Sequence, residues 1–170
     1  MRATRIIPSA LRALTREASS MVEVLAEENG QQIGIDGDRT IIVSADRLIL
    51  RQAIVNLLDN AIKHSAMKSQ ITADVGSEAN NWAALDITDQ GPGISGEHQP
   101  YVFDRFYRVD KAKTREWGGA GLGLSIARWA VEAHRGELAL KSEEGHGSTF
   151  RIFLPPVNSS SSNQTKGGPR

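Results

Sequence analysis

The chain has 170 residues, enough for one domain with a real core. Twenty basic residues balance twenty acidic ones, so no overall field draws it to nucleic acid or anionic lipid. Cysteine is absent, which excludes disulfides and thiolate chemistry. No signal peptide is visible, and no apolar run approaches the roughly 20 residues of a membrane span.

Residues 1–8 carry no pattern and read as a linker remnant ending at Pro8. From Ser9, a candidate N-cap, Leu11, Leu14, Ala18, Met21 and Leu25 recur at helical spacing, and Asn29-Gly30 is a helix stop. Ile33 and Ile35, the turn pair Asp36-Gly37, then Ile41 and Val43 predict a short hairpin. Ser44 to Ser65 is the strongest helix: Leu50, Ile54, Leu57 and Ala61 form a stripe that Ala53, Leu58 and Ile62 widen. Strands follow at Ile71 to Val75 and at Ala83 to Ile87, with a polar turn from Gly76 to Asn81 between them. Gly91 to Gly119 lacks periodicity and reads as a long loop with one helical turn around Tyr101 to Phe106; loops of that length are usually functional. Leu122 to His134 is helical again and stops at Arg135-Gly136. Leu138 and Leu140, then Phe150, Ile152 and Leu154, predict two closing strands joined by Gly145-His146-Gly147. The tail from Val157 is low in complexity and reads as disordered, leaving 9–156 as the domain. Strand pairs alternating with helices favour a mixed sheet covered on one face by helices.

Three stretches carry chemistry. Asn56 and Asn60 lie four apart on one helix face, and their amide oxygens suit Mg²⁺, which also takes phosphate oxygens. Lys63 sits one turn on, where an ammonium can meet a phosphate. Asparagines more often cap helices or face water, but mid-helix beside an apolar stripe they lower helix propensity. Asp89 ends a strand ahead of Gln90-Gly91-Pro92-Gly93; it can accept a hydrogen bond from an exocyclic amine such as that of adenine, though the segment is also good turn chemistry. Gly119-Ala120-Gly121-Leu122-Gly123-Leu124 runs into a helix, whose N-terminal amides favour phosphate. No Lys-Ser or Lys-Thr follows it and no strand precedes it, so it is neither a Walker loop nor a Rossmann turn; a flexible hinge stays open and is compatible with a cradle. Phe103-Asp104-Arg105-Phe106-Tyr107-Arg108 reads as an aromatic loop cluster anchored by Phe103 and Phe106, or as a lid whose Arg108 reaches a terminal phosphate. His64, His98, His134 and His146 have no carboxylate partners at metal spacing and read as surface or structural.

In this order the stretches resemble the motifs of the catalytic, ATP-binding domain of bacterial two-component sensor histidine kinases, of the superfamily with gyrase and MutL that has the Bergerat (GHKL) fold. Asn56 to Lys63 looks like the N box, Asp89 to Gly93 the G1 box, Phe103 to Arg108 the F box and Gly119 to Leu124 the G2 box. Gly147-Ser148-Thr149-Phe150 with Leu154-Pro155 is similar to the closing strand, so the match covers roughly Leu11 to Pro155. The resemblance implies a two-layer α/β sandwich: a mixed, mostly antiparallel sheet of about five or more strands, three helices on one face, and a long ATP lid.

It also implies roles. Asn56 and Asn60 would bind Mg²⁺, and Lys63 would contact the phosphates of ATP. Asp89 would recognise the adenine amine, with Gly91 and Gly93 shaping that pocket and Thr149 assisting through water. Gly119, Gly121, Leu122, Gly123 and Leu124 would form the phosphate cradle, and Arg108 would be the lid cation. The ATPase relatives carry a glutamate where Asn56 stands; an amide cannot act as a general base, so hydrolysis should be slow and the γ-phosphoryl kept for a protein acceptor. The family's acceptor histidine, in its His-Glu-Leu-Arg context on a dimerising domain, is missing. The expectation is therefore a cytoplasmic monomer that cannot autophosphorylate unaided, cut from a longer kinase that can be anchored in the inner membrane. Its partners would be the histidine-bearing domain and, through it, a response regulator, with no nucleic acid and no membrane contact. Two alternatives are an anti-sigma-type serine kinase of the same fold and a non-catalytic docking module.

Overall fold

The computed structural model describes residues 5–110 and 119–157. In chain order these form β1 (Ile6–Ala10), α1 (Leu11–Glu28), β2 (Gln32–Gly37), β3 (Ile42–Asp46), α2 (Arg47–His64), β4 (Gln70–Ser77), β5 (Ala83–Asp89), a 3-10 turn (Gln99–Tyr101), α3 (Gly123–Ala133), β6 (Glu137–Ser142) and β7 (Ser148–Leu154). Five strands make one sheet in the order β2-β4-β5-β7-β6, while β1 and β3 form a separate two-stranded ribbon. The β2–β4 pair is parallel and the other pairs are antiparallel. The expected two-layer α/β sandwich is the architecture found.

The pleat explains the layering. In β4, Ile71, Ala73 and Val75 are buried while Gln70, Thr72 and Asp74 are exposed. The register sets Ile71 beside Ile33, Val75 beside Leu85, Ile87 beside Phe150 and Ile152 beside Leu138, so one face is apolar from edge to edge. Leu11, Leu14 and Ala18 of α1, the predicted stripe of α2, and Ala127, Ala130 and Val131 of α3 join that face in one core. The fully buried Leu50, Ile54, Leu57 and Leu58 make α2 the central helix. Each contributes at most about 1.5–3 kcal/mol by burial.

Several expectations change. Residues 6–8 are not linker: Ile6 to Ala10 pair with Ile42 to Asp46. The hairpin at 33–43 does not form. At Gly37 (φ 97°) a Cβ would lie 2.0 Å from the Val75 carbonyl oxygen, so the chain hugs β4 there and leaves the sheet instead of folding back. The strand after it pairs with β1.

The helix α1 starts without a side-chain cap: Ser9 lies in β1, and the amide of Leu11 donates to the Ile41 carbonyl (3.0 Å). Its buried stripe continues through Val22 and Ala26, leaving Met21 and Leu25 exposed. The helix predicted from Ser44 begins at Arg47, because the Asp46 carboxylate accepts from the amides of Leu48 and Ile49. The helical turn expected around Tyr101 to Phe106 comes earlier, at Gln99–Tyr101. Of the tail predicted as disordered from Val157, residues 158–170 lie outside the described residues.

Candidate nucleotide site

Asp89 ends β5 opposite Ser148 of β7 and is 4% exposed. Its Oδ1 accepts the Gly91 amide at 2.9 Å, and the Ser148 backbone amide also donates to the carboxyl. Among the described residues no cation forms an ion pair with it. Burial pushes its pKa up, against the opposing pull of the two amides and of nearby His64. A buried carboxylate without a counter-ion is the kind of group a site keeps for a ligand.

Glycines build the walls around it. A Cβ on Gly91 would stand 2.3 Å from the His64 carbonyl oxygen, one on Gly93 (φ 73°) 2.1 Å from that of Glu143, and one on Gly147 (φ 79°) 2.2 Å from that of Asp89. The turn 143–147 is thus pressed directly against the Asp89 loop. Ser142 stitches the two together: its Oγ accepts the Ile94 amide (2.8 Å) and lies 2.9 Å from the Gly147 carbonyl and the Ser148 hydroxyl. Gln99 adds donations from Nε2 to the carbonyls of Ile94 and Ser142.

The Thr149 assignment does not survive this geometry. Thr149 lies on the opposite face of β7 and meets Thr88 Oγ1 at 2.9 Å, turned away from Asp89. Ser148 is the residue on the Asp89 side, and it is buried. The sequence held the signal: Phe150, Ile152 and Leu154 point inward, so the two-residue period sends Ser148 inward and Thr149 outward. Ser142 and Gln99 had no such signal.

The second half of the site lies on α2 and α3. Asn56, Asn60 and Lys63 are all partly exposed along one side of α2. Asn56 donates from Nδ2 to the Gly123 carbonyl (3.2 Å), and its Oδ1 accepts from Gln52 (2.9 Å). Asn60 has no partner for its amide among the described residues. Lys63 Nζ lies 2.7 Å from Asp59 and 3.8 Å from where a Gly119 Cβ would be, which brings the ammonium to the glycine loop. The N-cap of α3, Leu122, offers no capping side chain, and among the described residues no side chain takes the first amides of that helix. Gly121 (φ 72°) supports the loop from below, its carbonyl accepting the Phe106 amide at 3.0 Å. Leu124 turns its side chain into the core and contributes only backbone to the cradle.

The aromatic loop divides in two. Phe103 packs edge-on against Phe150 (6.0 Å), with Arg128 over its other side (5.7 Å). Phe106, expected as a second anchor, is 68% exposed and held at φ 65°. Tyr107 fixes the loop by its hydroxyl, 2.6 Å from His98 Nδ1. Arg108 is half-buried just before residues 111–118, the part of the expected lid that lies outside the described residues.

Two asparagine amides are a fitting neutral donor set for Mg²⁺, and the Asn60 amide, without a partner among the described residues, is the observation that supports it. Concavity alone would have misled. The cleft of about 390 Å³ between α1 and β2 is lined by Ser19, Glu23, Glu27 and Gln31 and shares no residue with this site. No described helix is long and apolar enough to cross a membrane.

Comparison with known proteins agrees with the geometry. Residues 45–158 match the family described as histidine kinase-, DNA gyrase B- and HSP90-like ATPases. The chain is 36% identical over 146 residues to the sensor histidine kinase YkoH of Bacillus subtilis, covering 85% of this chain and 32% of that protein. It is 36% identical over 143 residues to the sensor-like histidine kinase SenX3 of Mycolicibacterium smegmatis, covering 84% and 37%. It spans about a third of the length of such relatives. Among solved structures, the mycobacterial sensor histidine kinase MprB superposes with a TM-score of 0.75 at 27% identity, over 90% of this chain and all of that one. The catalytic domain of the histidine kinase ThkA gives 0.77 at 23% identity, over 89% and 96%, and supports the fold alone.

Proposed function

The chain belongs to the histidine kinase-, DNA gyrase B- and HSP90-like ATPase family, as an ATP-binding catalytic domain of the sensor histidine kinase kind, and on that footing we propose that it transfers the γ-phosphoryl of ATP to a histidine on a separate dimerisation domain. A response regulator would then take the phosphoryl group from that histidine. The observation that carries the reading is the pairing of a buried Asp89, without an ion pair among the described residues, with a glycine loop that leads into the N-terminus of α3 beside Lys63.

Asp89 accepts the adenine amine, and Gly91, Gly93 and the Ser148 amide shape and orient that end. The amides of Gly119, Gly121, Leu122, Gly123 and Leu124 receive the phosphates, together with Lys63. Asn56 and Asn60 would hold Mg²⁺, whose charge offsets that of the phosphates. In the transfer the imidazole nitrogen forms a bond to the γ-phosphorus as the bond to the β–γ bridging oxygen breaks and ADP leaves. Arg108 supplies positive charge as the lid over 94–118 closes. Asn56 offers no general base for water, so the phosphoryl group passes to protein. The domain occupies 9–156 together with the β1 residues before it, works as a cytoplasmic monomer, and belongs to a longer kinase.

The deciding experiment is a calorimetric titration with ATP, with and without Mg²⁺, followed by single-turnover transfer to a supplied histidine-bearing domain. Mg²⁺-dependent binding and transfer, both lost in Asn60→Ala, are expected. Transfer at the wild-type rate in Asn60→Ala would remove the metal assignment, and phosphorylation of a serine acceptor in place of histidine would remove the reading.

A further inference from the structure

His134 caps the C-terminal end of α3, and its buried ring is spent on a bond that leaves the helix. Nδ1 lies 2.6 Å from the Ala130 carbonyl oxygen, to which it can only donate. Nε2 accepts the backbone amide of Asp46 at 3.0 Å. That assignment uses both nitrogens of a neutral ring.

Asp46 is a junction. Its carboxylate caps α2 through the amides of Leu48 and Ile49 and also accepts the amide of Arg5 at 3.2 Å. Its backbone closes the β1–β3 ribbon opposite Ile6. The helix α3 is thus tied to α2 at both of its own ends: by His134 to the backbone of Asp46, the N-cap of α2, and by the Gly123 carbonyl to Asn56 midway along α2. The Asn56 tie is partly exposed and sits among groups that ligand binding must rearrange. The His134 tie to Asp46 is part-buried, on a ring that is itself buried, and has no ligand role.

We infer that His134 is a positioning residue of the phosphate site: through the Asp46 amide it sets the angle of α3, and hence of the glycine loop, against the asparagines and lysine of α2. This rests on the nucleotide reading above. The same tie connects the ribbon, where the chain enters the domain, to the glycine loop.

Two substitutions separate the two bonds. Asparagine can place an amide nitrogen near the position of Nδ1 and keep the bond within α3, but it cannot reach Asp46. Glutamine can place an amide oxygen near the position of Nε2 and keep the bond to Asp46. The readout is the ratio of ATP affinity to adenosine affinity in the 170-residue chain, measured by calorimetry well below each melting temperature. Adenosine uses only the Asp89 end, so a merely structural role would leave the ratio unmoved. His134→Asn should lose about tenfold in ATP affinity, the scale of one hydrogen bond, with adenosine affinity unchanged, and His134→Gln should restore most of it. An equal ratio in wild type, Asn and Gln variants overturns the inference while leaving the nucleotide reading intact. If Asn does not fold, a Gln variant that folds but shows the tenfold loss overturns it as well. A wild-type chain that binds neither ligand removes the reading and the inference with it.

Discussion

At the Asp89 end, backbone is pressed on backbone: a Cβ on Gly93 would reach 2.1 Å from the Glu143 carbonyl oxygen, and one on Gly147 2.2 Å from that of Asp89. At the phosphate end, among the described residues, a Cβ on Gly123 meets nothing within 4 Å and one on Gly119 meets only the tip of Lys63 at 3.8 Å, while one on Gly121 would stand 3.1 Å from the Phe106 backbone. The first end is joined by a sheet pair and by the Ser142 and Gln99 bonds, all inside one packed unit. The second lies where the N-terminus of α3 meets α2, with Asn56 donating to the Gly123 carbonyl and Lys63 parked on Asp59. On the proposed reading, the adenine end is closely packed without ligand, and the phosphate end keeps open space around Gly119 and Gly123 among the described residues.

The comparison breaks most visibly at glycine. Gly147→Ala should lower stability by about 3 kcal/mol or more, because both φ and the Asp89 carbonyl forbid the methyl group. Gly123→Ala should leave stability within about 0.5 kcal/mol of wild type and weaken ATP binding only. Urea unfolding of the two variants reads both numbers. Similar losses in both would mean that the ends do not differ in rigidity.

Next in size is Asp89→Asn, which presents an amide where the adenine amine needs an acceptor. ATP should bind about 100-fold more weakly, the scale of a charged hydrogen bond lost at a buried site. Adenosine should weaken by the same factor, since the change is confined to the base. Lys63→Met should cost about tenfold for ATP and nothing for adenosine, with the difference shrinking as salt is added. If adenosine responded to Lys63, or ATP alone to Asp89, the assignment of the two ends would be exchanged or wrong.

How far these ends were legible in the sequence follows the same division. Asp89, its glycines, the asparagine pair and the glycine loop each bring unusual residue types to one short segment, so local reading found them. The α2 stripe and the strands β4 to β7 were legible for the same reason: their burial follows one period. What failed depended on partners distant in the chain. The turn at Asp36-Gly37 is good hairpin chemistry, yet β2 had a better neighbour in β4, some 38 residues on in the register of Gln32 with Gln70. The strand β1 shows only when β3 is available to pair with it. Thr149 was misplaced by one residue, and in a strand one residue is the whole difference between the site and the opposite face.

The smallest expected effect is on pH dependence, and it tests whether the adenine end is strained without ligand. Burial raises the Asp89 pKa in the folded protein, while the unfolded carboxyl titrates near 3.8. Protonation therefore favours the fold: the stabilisation from neutral Asp89 is full below the unfolded value and is lost as pH rises through the raised folded value. The stability of wild type relative to Asp89→Asn should fall over that window, with the remaining carboxylates cancelling in the difference. ATP reverses the preference, since the adenine amine donates to the charged carboxylate. Binding should release a proton in that window, and wild-type affinity should drop on acidification while the Asn variant follows only the titration of the nucleotide itself. Thermal melts of the two proteins between about pH 4 and pH 7, with and without ATP, measure both signs. A flat difference without ligand would mean that the two backbone amides already meet the full cost of the charge, leaving Asp89 ionised and unstrained in an end that is finished before ATP arrives.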